Sequence, residues 1–324
     1  MILVTGGAGY IGSHYVQYAQ EQGEEVVVLD NLAYGHREAI AEGTPFIVGE
    51  MGDATLLDDL FTTYKIDAVV HFAAFAYVGE SVKDPAKYYN NNTCATIAVL
   101  DAMRRHQVSN FIFSSTCATY GNPQYIPMDE KHPQAPINPY GESKYFVEHV
   151  LRAYDHAYGL RFTALRYFNA AGADPKGRIG ESHDPETHLI PLILQVATGQ
   201  RDHIDVFGTD YDTPDGTCVR DYIHILDLAQ AHSLAMNRLR AGNDSAIYNL
   251  GSEQGYSVRE VISTCEKVTG KSIKVVEGPR RPGDPPRLVA SATKAKTELG
   301  WKPRFQNLEE IISTAWAWEQ NRTY

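Results

Sequence analysis

The sequence has few cysteines, and they are widely spaced. Its four, Cys94, Cys117, Cys218 and Cys265, form neither the close pairs of zinc sites nor the dense pattern of a disulfide scaffold. We therefore expect reduced thiols and no metal site.

Long apolar runs and an excess of basic residues are also missing. No stretch approaches the ~18 apolar residues of a membrane span, and the first apolar run begins at Ile2, which leaves no room for a signal peptide. Only 29 Lys and Arg stand against 40 Asp and Glu, for a net charge of −11. Nucleic-acid binding relies on basic residues that neutralise phosphates. These absences predict a cytosolic protein with neither a membrane nor a nucleic-acid partner.

Short apolar runs do recur along the first half of the chain. They are typical of strands buried on both faces of a parallel sheet, and the stretches between them are long enough for crossover helices. Two of those stretches, 92–106 and 143–158, have apolar residues at helical spacing. The pattern predicts an α/β fold with a Rossmann-type, doubly wound parallel sheet. The runs lie at 2–4, 26–29, 46–48, 68–70, 111–113 and 162–165.

The amino-acid composition of the sequence changes after Asn169. Gly, Pro, Asp and His become frequent, with short apolar pieces between loops. We predict a dinucleotide-binding domain over 1–170 and a smaller C-terminal α/β substrate lobe over 171–324, with some later segments free to return to the first domain.

A glycine-rich segment from Thr5 to Gly12 follows the first strand and precedes a helix. In such a turn Gly6 or Gly7 permits the tight bend, Gly9 lets the backbone approach a pyrophosphate, and Gly12 lets the helix pack closely on the strand. The amides at the start of the helix then face the phosphates. This context predicts a dinucleotide site.

An acidic residue ends the second strand. Asp30 is placed to hydrogen-bond both ribose hydroxyls and to repel a 2′-phosphate, and no basic residue follows before His36 and Arg37. The expected cofactor is NAD rather than NADP.

A possible reactive constellation follows the fifth strand. The strand runs into Thr116, and a later helix begins with Tyr140 and Lys144 four residues apart, which places both on one helix face. An ammonium near the phenol is expected to lower its pKa. A phenolate beside a nicotinamide takes a hydroxyl proton while hydride leaves the carbon, and Thr116 binds the same hydroxyl. The pattern predicts alcohol–ketone chemistry.

These residues, with motifs spread over nearly the whole chain, resemble the extended short-chain dehydrogenases. Four later motifs resemble the UDP-galactose 4-epimerase family within them. The shared segments are 5–12, 30–31, 71–74, 78–81, 88–89, 91–92 and 140–144, and the narrowing motifs are 165–169, 208–216, 220–224 and 281–284.

The resemblance implies a role for each matching residue. It makes Tyr140 the catalytic base, Lys144 its positioning partner and Thr116 the contact to the sugar 4-hydroxyl. Implied NAD contacts are Gly6, Gly9, Tyr10, Ile11, Gly12, Asp30, Asn31, Asp53, Phe72, Ala73, Ala74, Asn91, Tyr140, Lys144 and Tyr167. Implied contacts to a UDP-hexose are Thr116, Tyr140, Asn169, His188, Leu189, Phe207, Arg220, Arg281, Asp284 and Leu288.

Some of these implications carry more detail. Phe207 is expected to stack on the uracil, and Arg220 and Arg281 to clamp the pyrophosphate, which an arginine fork suits. Asp53 contacts the adenine by resemblance, although a helix N-cap explains it equally well. Leu288 falls where the family walls the pocket near the sugar C2 substituent.

The chain departs from the family pattern at two positions. Ala76 stands where many members have a lysine after the fourth strand, so one cationic contact is missing, and His188 stands where several have an asparagine.

The expected reaction moves hydride from C4 of the hexose to bound NAD and returns it to the opposite face of a 4-keto intermediate. A UDP-pentose 4-epimerase has the same chemistry and stays an alternative. A 4,6-dehydratase is disfavoured because Cys117 and Ala118 follow Thr116 in place of an acid pair, and a non-catalytic NAD sensor because the reactive residues are intact. Helices 92–106 and 143–158 resemble the pair that forms the family's homodimer, although both apolar stripes could instead face the sheet.

Overall fold

The computed structural model describes residues 1–281 and 284–324, so the Pro and Gly of the 281–284 motif lie outside the described residues. The strands are β1 (Ile2–Thr5), β2 (Val26–Asp30), β3 (Phe46–Val48), β4 (Ala68–His71), β5 (Asn110–Thr116), β6 (Arg161–Tyr167), β7 (Asn169–Ala171), β8 (Ile204–Phe207), β9 (Val219–Arg220), β10 (Tyr222–His224), β11 (Ala246–Leu250), β12 (Tyr256–Ser257), β13 (Val275–Gly278) and β14 (Arg287–Leu288).

The helices surround these strands. They are α1 (Tyr10–Glu21), α2 (Ala54–Thr63), α3 (Val78–Lys83), α4 (Pro85–Tyr88), α5 (Thr96–Arg105), α6 (Pro139–Tyr158), α7 (Leu189–Thr198), α8 (Ile225–Arg240), α9 (Val258–Thr269), α10 (Thr293–Glu298) and α11 (Leu308–Gln320). Among the described helices, none is both long and apolar enough to cross a membrane.

Seven parallel strands form the central sheet, in the order β11-β6-β5-β4-β1-β2-β3. Because side chains alternate along a strand, Ile2 and Val4 of β1 pack against α1 and α8 on one face. Leu3 packs on the other face with the core beneath α2, α5 and α6. Both faces are therefore covered, and the doubly wound α/β prediction is confirmed.

The smaller lobe is built from short sheets and three helices. Strands β8 and β13 pair in parallel, and β9 lies between β12 and β14. Its core includes Ile193 of α7, Val261 of α9 and Ile311 of α11.

The chain returns to the large sheet after leaving it. Strand β11 pairs in parallel with β6, and α8 shares a core with α1. These are the segments that go back to the first lobe; the division at residue 170 itself stays a prediction.

Helix α6 begins earlier than its apolar spacing indicates. Asn138 caps it, because its side-chain oxygen accepts from Gly141 N at 2.9 Å, and Pro139 occupies the first helical position. Tyr140 and Lys144 therefore lie in its first two turns. The helix expected over 92–106 is α-helical only from Thr96, after a π-helical segment, Tyr89–Ala95.

Candidate active site

The glycine-rich turn after β1 has two positions at which a side chain does not fit. Gly6 has φ +70°, and a Cβ there would lie 2.4 Å from Ala73 N. A Cβ on Gly12 would lie 2.2 Å from Gly6 O. Gly6 is thus the residue of the tight bend, where the left-handed conformation favours glycine, and Gly12 provides the close helix packing.

Helix α1 begins directly after this turn. Gly9 is its N-cap, so Tyr10 and Ile11 contribute the first helical amides. Because the first amides of a helix have no acceptor within it, those of Tyr10 and Ile11 are available for an anion at this helix end. The Tyr10 side chain points away from that role, since its hydroxyl donates to Gly172 O at 2.6 Å.

Asp30 ends β2 with its carboxylate fixed by the backbone. It accepts from Ala8 N at 2.9 Å and from Leu32 N at 2.8 Å. Burial raises the pKa of this carboxyl, while these two amides act in the opposite direction. The side chain is therefore held in place beside the glycine turn.

One cleft brings together many of the residues predicted to bind the cofactor. It is lined by Gly6, Gly9, Asp30, Asn31, Phe72, Ala73, Ala74 and Asn91. The glycine turn at one end of this cleft and the acidic residue at the strand end fit a dinucleotide with free ribose hydroxyls.

The structure identifies a second asparagine that holds this cleft together. Asn92 Oδ1 accepts from Phe75 N, and its Nδ2 donates to Phe75 O, both at 2.9 Å. Nδ2 also lies 3.1 Å from Ser143 Oγ. Asn92 therefore ties the loop after β4 to α6. Its only signal in the sequence was its place in the 91–92 segment shared with the short-chain dehydrogenases.

Asp53 caps α2. Its carboxylate accepts from Thr55 N at 3.0 Å and Leu56 N at 3.1 Å, which accounts for an acidic residue at this position. An adenine contact for Asp53 stays a prediction.

The reactive residues meet at the carboxyl ends of β5 and β6. Lys144 is buried, and its Nζ donates to Ser114 O at 2.8 Å. The Tyr140 phenol interacts with the Thr116 hydroxyl and lies near Tyr167. Tyr167 in turn shares a short hydrogen bond with Ser114.

Burial shifts the pKa values of this group. Burial raises the pKa of Tyr140 well above its ordinary value; Tyr167 adds to the rise, and the Thr116 hydrogen bond opposes it. Burial also lowers the pKa of Lys144 to about 7. Lys144 is not among the groups that shift the pKa of the Tyr140 phenol in this arrangement, and the expected lowering of that pKa stays a prediction. The rise is caused mainly by desolvation, which a spacing argument does not include.

A buried ion pair behind Thr116 was not predicted. Arg166 of β6 donates from Nε to Glu148 Oε1 at 2.8 Å and from Nη2 to Oε2 at 2.5 Å. Ser115 Oγ donates to Glu148 at 2.7 Å, and Arg166 Nη1 donates to Tyr120 OH at 2.9 Å. Glu148 lies one turn after Lys144 on α6, so the network fixes this helix against β5 and β6.

The predicted substrate residues of the smaller lobe form two groups. Arg220 makes a short ion pair with Asp284. Its positive charge also opposes the rise that burial causes in the pKa of the Cys117 thiol, next to Thr116. Leu288 is the β14 partner of Arg220. Arg220 and Leu288 therefore lie near the reactive end of β5.

The second group includes Phe207 at the end of β8. The Arg281 guanidinium lies 3.9 Å from the centre of the Phe207 ring. Arg280, which the motif did not single out, lies 4.3 Å from the Tyr211 ring, and it lines one cavity with Arg281 and Asp284.

Asn169 begins β7, and its Nδ2 donates to Asp221 O at 2.8 Å. The Asp221 carboxylate accepts from Ser252 N at 2.7 Å and Ala290 N at 3.1 Å. Asp221, which lies between β9 and β10, therefore binds the segments that follow β11 and β14. The sequence motif contained this residue, but its role appears only when those segments are brought together.

His188 is the N-cap residue of α7, and Leu189 is its first helical residue. His188 Nδ1 lies 2.8 Å from Glu181 Oε1 and 3.0 Å from Glu186 Oε1. Burial alone lowers the pKa of this imidazole, but the two carboxylates outweigh it and raise the pKa to about 10. The two carboxylates therefore favour the protonated imidazole, which differs in charge from the asparagine of several family members.

Comparison with known families settles the membership of the chain. A family model described as the NAD dependent epimerase/dehydratase family matches residues 2–251. The chain belongs to this family. The predicted resemblance, and NAD as the cofactor of the family, are confirmed.

Individual relatives are similar over their full length. A UDP-glucose 4-epimerase from Halalkalibacterium halodurans is 54% identical over 323 residues, covering 100% of this chain and 96% of the relative. The crystal structure of a UDP-glucose 4-epimerase from Brucella ovis in complex with NAD has a TM-score of 0.95 at 50% identity, covering 97% of each chain. One from Bifidobacterium longum, in complex with NAD+ and UDP, has a TM-score of 0.93 at 38% identity, covering 99% of this chain and 98% of the other.

Proposed function

We propose that this chain interconverts UDP-galactose and UDP-glucose by reversible oxidation at C4 of the hexose. The observation that carries the proposal is the meeting of Thr116, Tyr140 and Lys144 at the carboxyl end of β5, beside a cleft that fits NAD. The full-length identity to UDP-glucose 4-epimerases supports the substrate.

When bound, NAD accepts the C4 hydride and returns it. The residues that would hold it are those of the cleft, with Asp30 for the ribose hydroxyls and the α1 amides for the pyrophosphate. Lys144 and Tyr167, which lie beside Tyr140, are the residues proposed to contact NAD at the reactive end of the site.

Tyr140 is the proposed acid and base of both half-reactions. Its oxygen takes the proton of the 4-hydroxyl as the ketone forms and returns it when the alcohol is restored. Thr116 orients the same hydroxyl, and Lys144 positions the phenol from one helical turn away. A single proton-transfer group suffices because the overall reaction leaves no net oxidation.

Substrate binding must rest on the nucleotide end, because the sugar has to turn over between the two hydride transfers. We assign the diphosphate to Arg220 and Arg281 and the uracil to Phe207. Asn169, His188, Leu189 and Asp284 complete the proposed wall, with Leu288 near C2. Two arginine side chains and an aromatic ring provide binding energy at the uridine diphosphate while the hexose remains free to rotate.

The test is to incubate tag-free protein with UDP-galactose and follow UDP-glucose, without added reductant. The expected result is conversion to a mixture of both sugars with no net NADH. UDP-arabinose as the competing substrate separates the pentose alternative, because equal or higher kcat/KM for the pentose would contradict the hexose assignment. Stoichiometric NADH release would indicate a dehydrogenase.

We also infer a homodimer formed through α5 and α6. On α6, Val147 and Leu151 are buried in the core, while Phe146 is exposed on a different face of the helix and Tyr158 is exposed at its end. Phe146 thus leaves a large apolar side chain outside the core, which supports a helix pair that continues across a two-fold axis.

A further inference from the structure

A cluster of four side chains lies on the loop that leads into α7. Glu181, His183, Glu186 and His188 each place a potential ligand atom within 4.8 Å of the others. The cysteine spacing that predicted no metal site carries no information about this group.

We propose that these four side chains bind one divalent transition-metal ion, with zinc the best match. This site does not rest on the proposed function, although His188 also belongs to the proposed substrate wall. Two imidazole nitrogens and two carboxylate oxygens form a set that suits zinc in tetrahedral coordination.

The distances within the cluster support a shared central ion. His183 Nδ1 lies 3.2 Å from Glu181 and 3.6 Å from Glu186, and His188 Nδ1 lies 2.8 and 3.0 Å from the same two carboxylates. Bonds of ~2.1 Å to a tetrahedral ion place its ligand atoms roughly 3.4 Å apart. These four distances, which reach both oxygens of Glu186, are close to that separation before any ion binds, and one ligand atom from each residue lies within 4.8 Å of the other three.

Two features argue that the cluster is more than a pair of ion pairs. His183 Nδ1 is buried yet makes no hydrogen bond of acceptable geometry, despite the two nearby carboxylates. Glu186 Oε1 is fixed by two backbone donors, Thr187 N at 2.7 Å and His188 N at 2.8 Å. A carboxylate oriented from behind and a nitrogen without a partner are both expected of a preformed ligand set.

The cluster is enclosed enough to exclude competing water at three of its ligands. The side chains of Glu181 and Glu186 are 8% and 6% exposed and that of His183 is 16%, whereas His188 is 46% exposed. The Tyr10 and Tyr77 rings each lie 6.2 Å from the His183 ring. His188 is the open side, by which an ion would enter.

The ion would have a structural role. Tyr10 begins α1 next to the glycine turn, and Tyr77 precedes α3, so both flank the cofactor cleft. A metal at the cluster would fix the 181–188 loop against these two aromatic side chains. Binding would replace the proton on each imidazole, so metal and protons compete for the site.

The experiment uses tag-free full-length protein, stripped with a chelator and dialysed against zinc chloride. Elemental analysis should find one zinc ion per chain, and added zinc should raise the melting temperature. In cobalt(II) chloride the wild type should develop the visible absorption bands of a tetrahedral site.

Two variants and a control assign the ion to this cluster. His183→Lys keeps a positive charge opposite the carboxylates but loses a ligand nitrogen, and Glu181→Gln loses a carboxylate. Both should weaken zinc binding at least ~100-fold and lose the thermal shift. The control is His106→Ala, which removes an imidazole that lies after α5, outside the cluster, and 2.9 Å from Asp58. This variant should bind zinc as the wild type does.

Wild-type protein that is folded but takes up neither zinc nor cobalt would overturn the proposal, whatever the variants do. Unchanged zinc affinity in folded His183→Lys and Glu181→Gln would do the same, because the ion would then be bound elsewhere.

Discussion

At the scale of single residues, the chemistry depends on one phenol. Burial holds the pKa of Tyr140 above its ordinary value among the chain's own groups, so we expect the positive charge of a bound oxidised nicotinamide to favour the phenolate. Substrate oxidation and phenol ionisation are thereby expected to depend on the bound cofactor.

Replacing Tyr140 with Phe should retain the fold and cofactor binding but reduce kcat by ~10²–10⁴-fold, because proton transfer at C4 is lost. Turnover of UDP-galactose and fluorescence titration with NADH measure the two effects. A variant that keeps more than about a tenth of wild-type activity would exclude Tyr140 as the acid and base.

Asp30 is expected to set the choice between NAD and NADP. Asp30→Ala should decrease the preference for NAD, since it removes both the ribose contact and the repulsion of a 2′-phosphate. The measurement is the ratio of dissociation constants for NADH and NADPH. An unchanged ratio would place the specificity elsewhere, with Asn31 and Arg37 the next residues to replace.

Leu288 is predicted to restrict the C2 substituent of the sugar. The side chain is half-buried and packs against the cluster that includes Tyr120 and Phe168. An acetamido group that fits poorly would leave polar atoms unpaired, at a cost of about 1–3 kcal/mol. The kcat/KM for UDP-N-acetylgalactosamine should therefore be ~10–100-fold below that for UDP-galactose.

Leu288→Ser should raise that ratio of kcat/KM values. Comparing two substrates within each variant removes any general loss of stability from the result. Equal values on the wild type would contradict the restriction, and no gain in the variant would show that a different residue forms the wall.

Residue types and spacing were enough to place Gly6, Gly12 and Asp30, because a strand, a tight bend and a helix leave little freedom for the residues that join them. They did not predict the structural roles of Asn92 and Asp221 or the raised pKa of Tyr140. Each of these depends on groups brought close by the tertiary fold, such as Phe75 for Asn92 and Ala290 for Asp221.

At the scale of elements, α6 is the helix that the site depends on most. Its start is set by local signals, Asn138 and Pro139, that a search for apolar periodicity overlooks. Its position on the sheet is set by the pair of Glu148 and Arg166, which lie on different elements and have no shared sequence signal.

Breaking that pair should destabilise the protein. Arg166→Met leaves the Glu148 carboxylate buried without its partner, for an expected loss of about 3–5 kcal/mol in the free energy of unfolding. Urea denaturation measures it. The control is Lys267→Met at the exposed pair with Glu309, where the loss should be below about 1 kcal/mol. Equal losses at the two sites would mean that the buried network does not hold α6 in place.

At the scale of the whole molecule, the proposed dimer gives a further prediction. Phe146→Asp places a charge at the exposed apolar position of α6 and should shift the protein from dimer to monomer in light scattering. Val48→Asp, at an exposed apolar residue on β3, should leave the dimer unchanged. A wild type that is monomeric at all concentrations would exclude the helix-pair interface.

The return of the chain to the central sheet has a consequence for how the protein is made. Strand β11 lies at the edge beside β6, yet the whole segment between them must be synthesised before the two can pair. During translation β6 is therefore an unprotected edge, and the sheet closes only by a contact of large sequence separation, which slows folding. Helix α7 and strand β8 of the smaller lobe are synthesised while the sheet that supports the active site is still incomplete, and α9 and α11 follow only after β11.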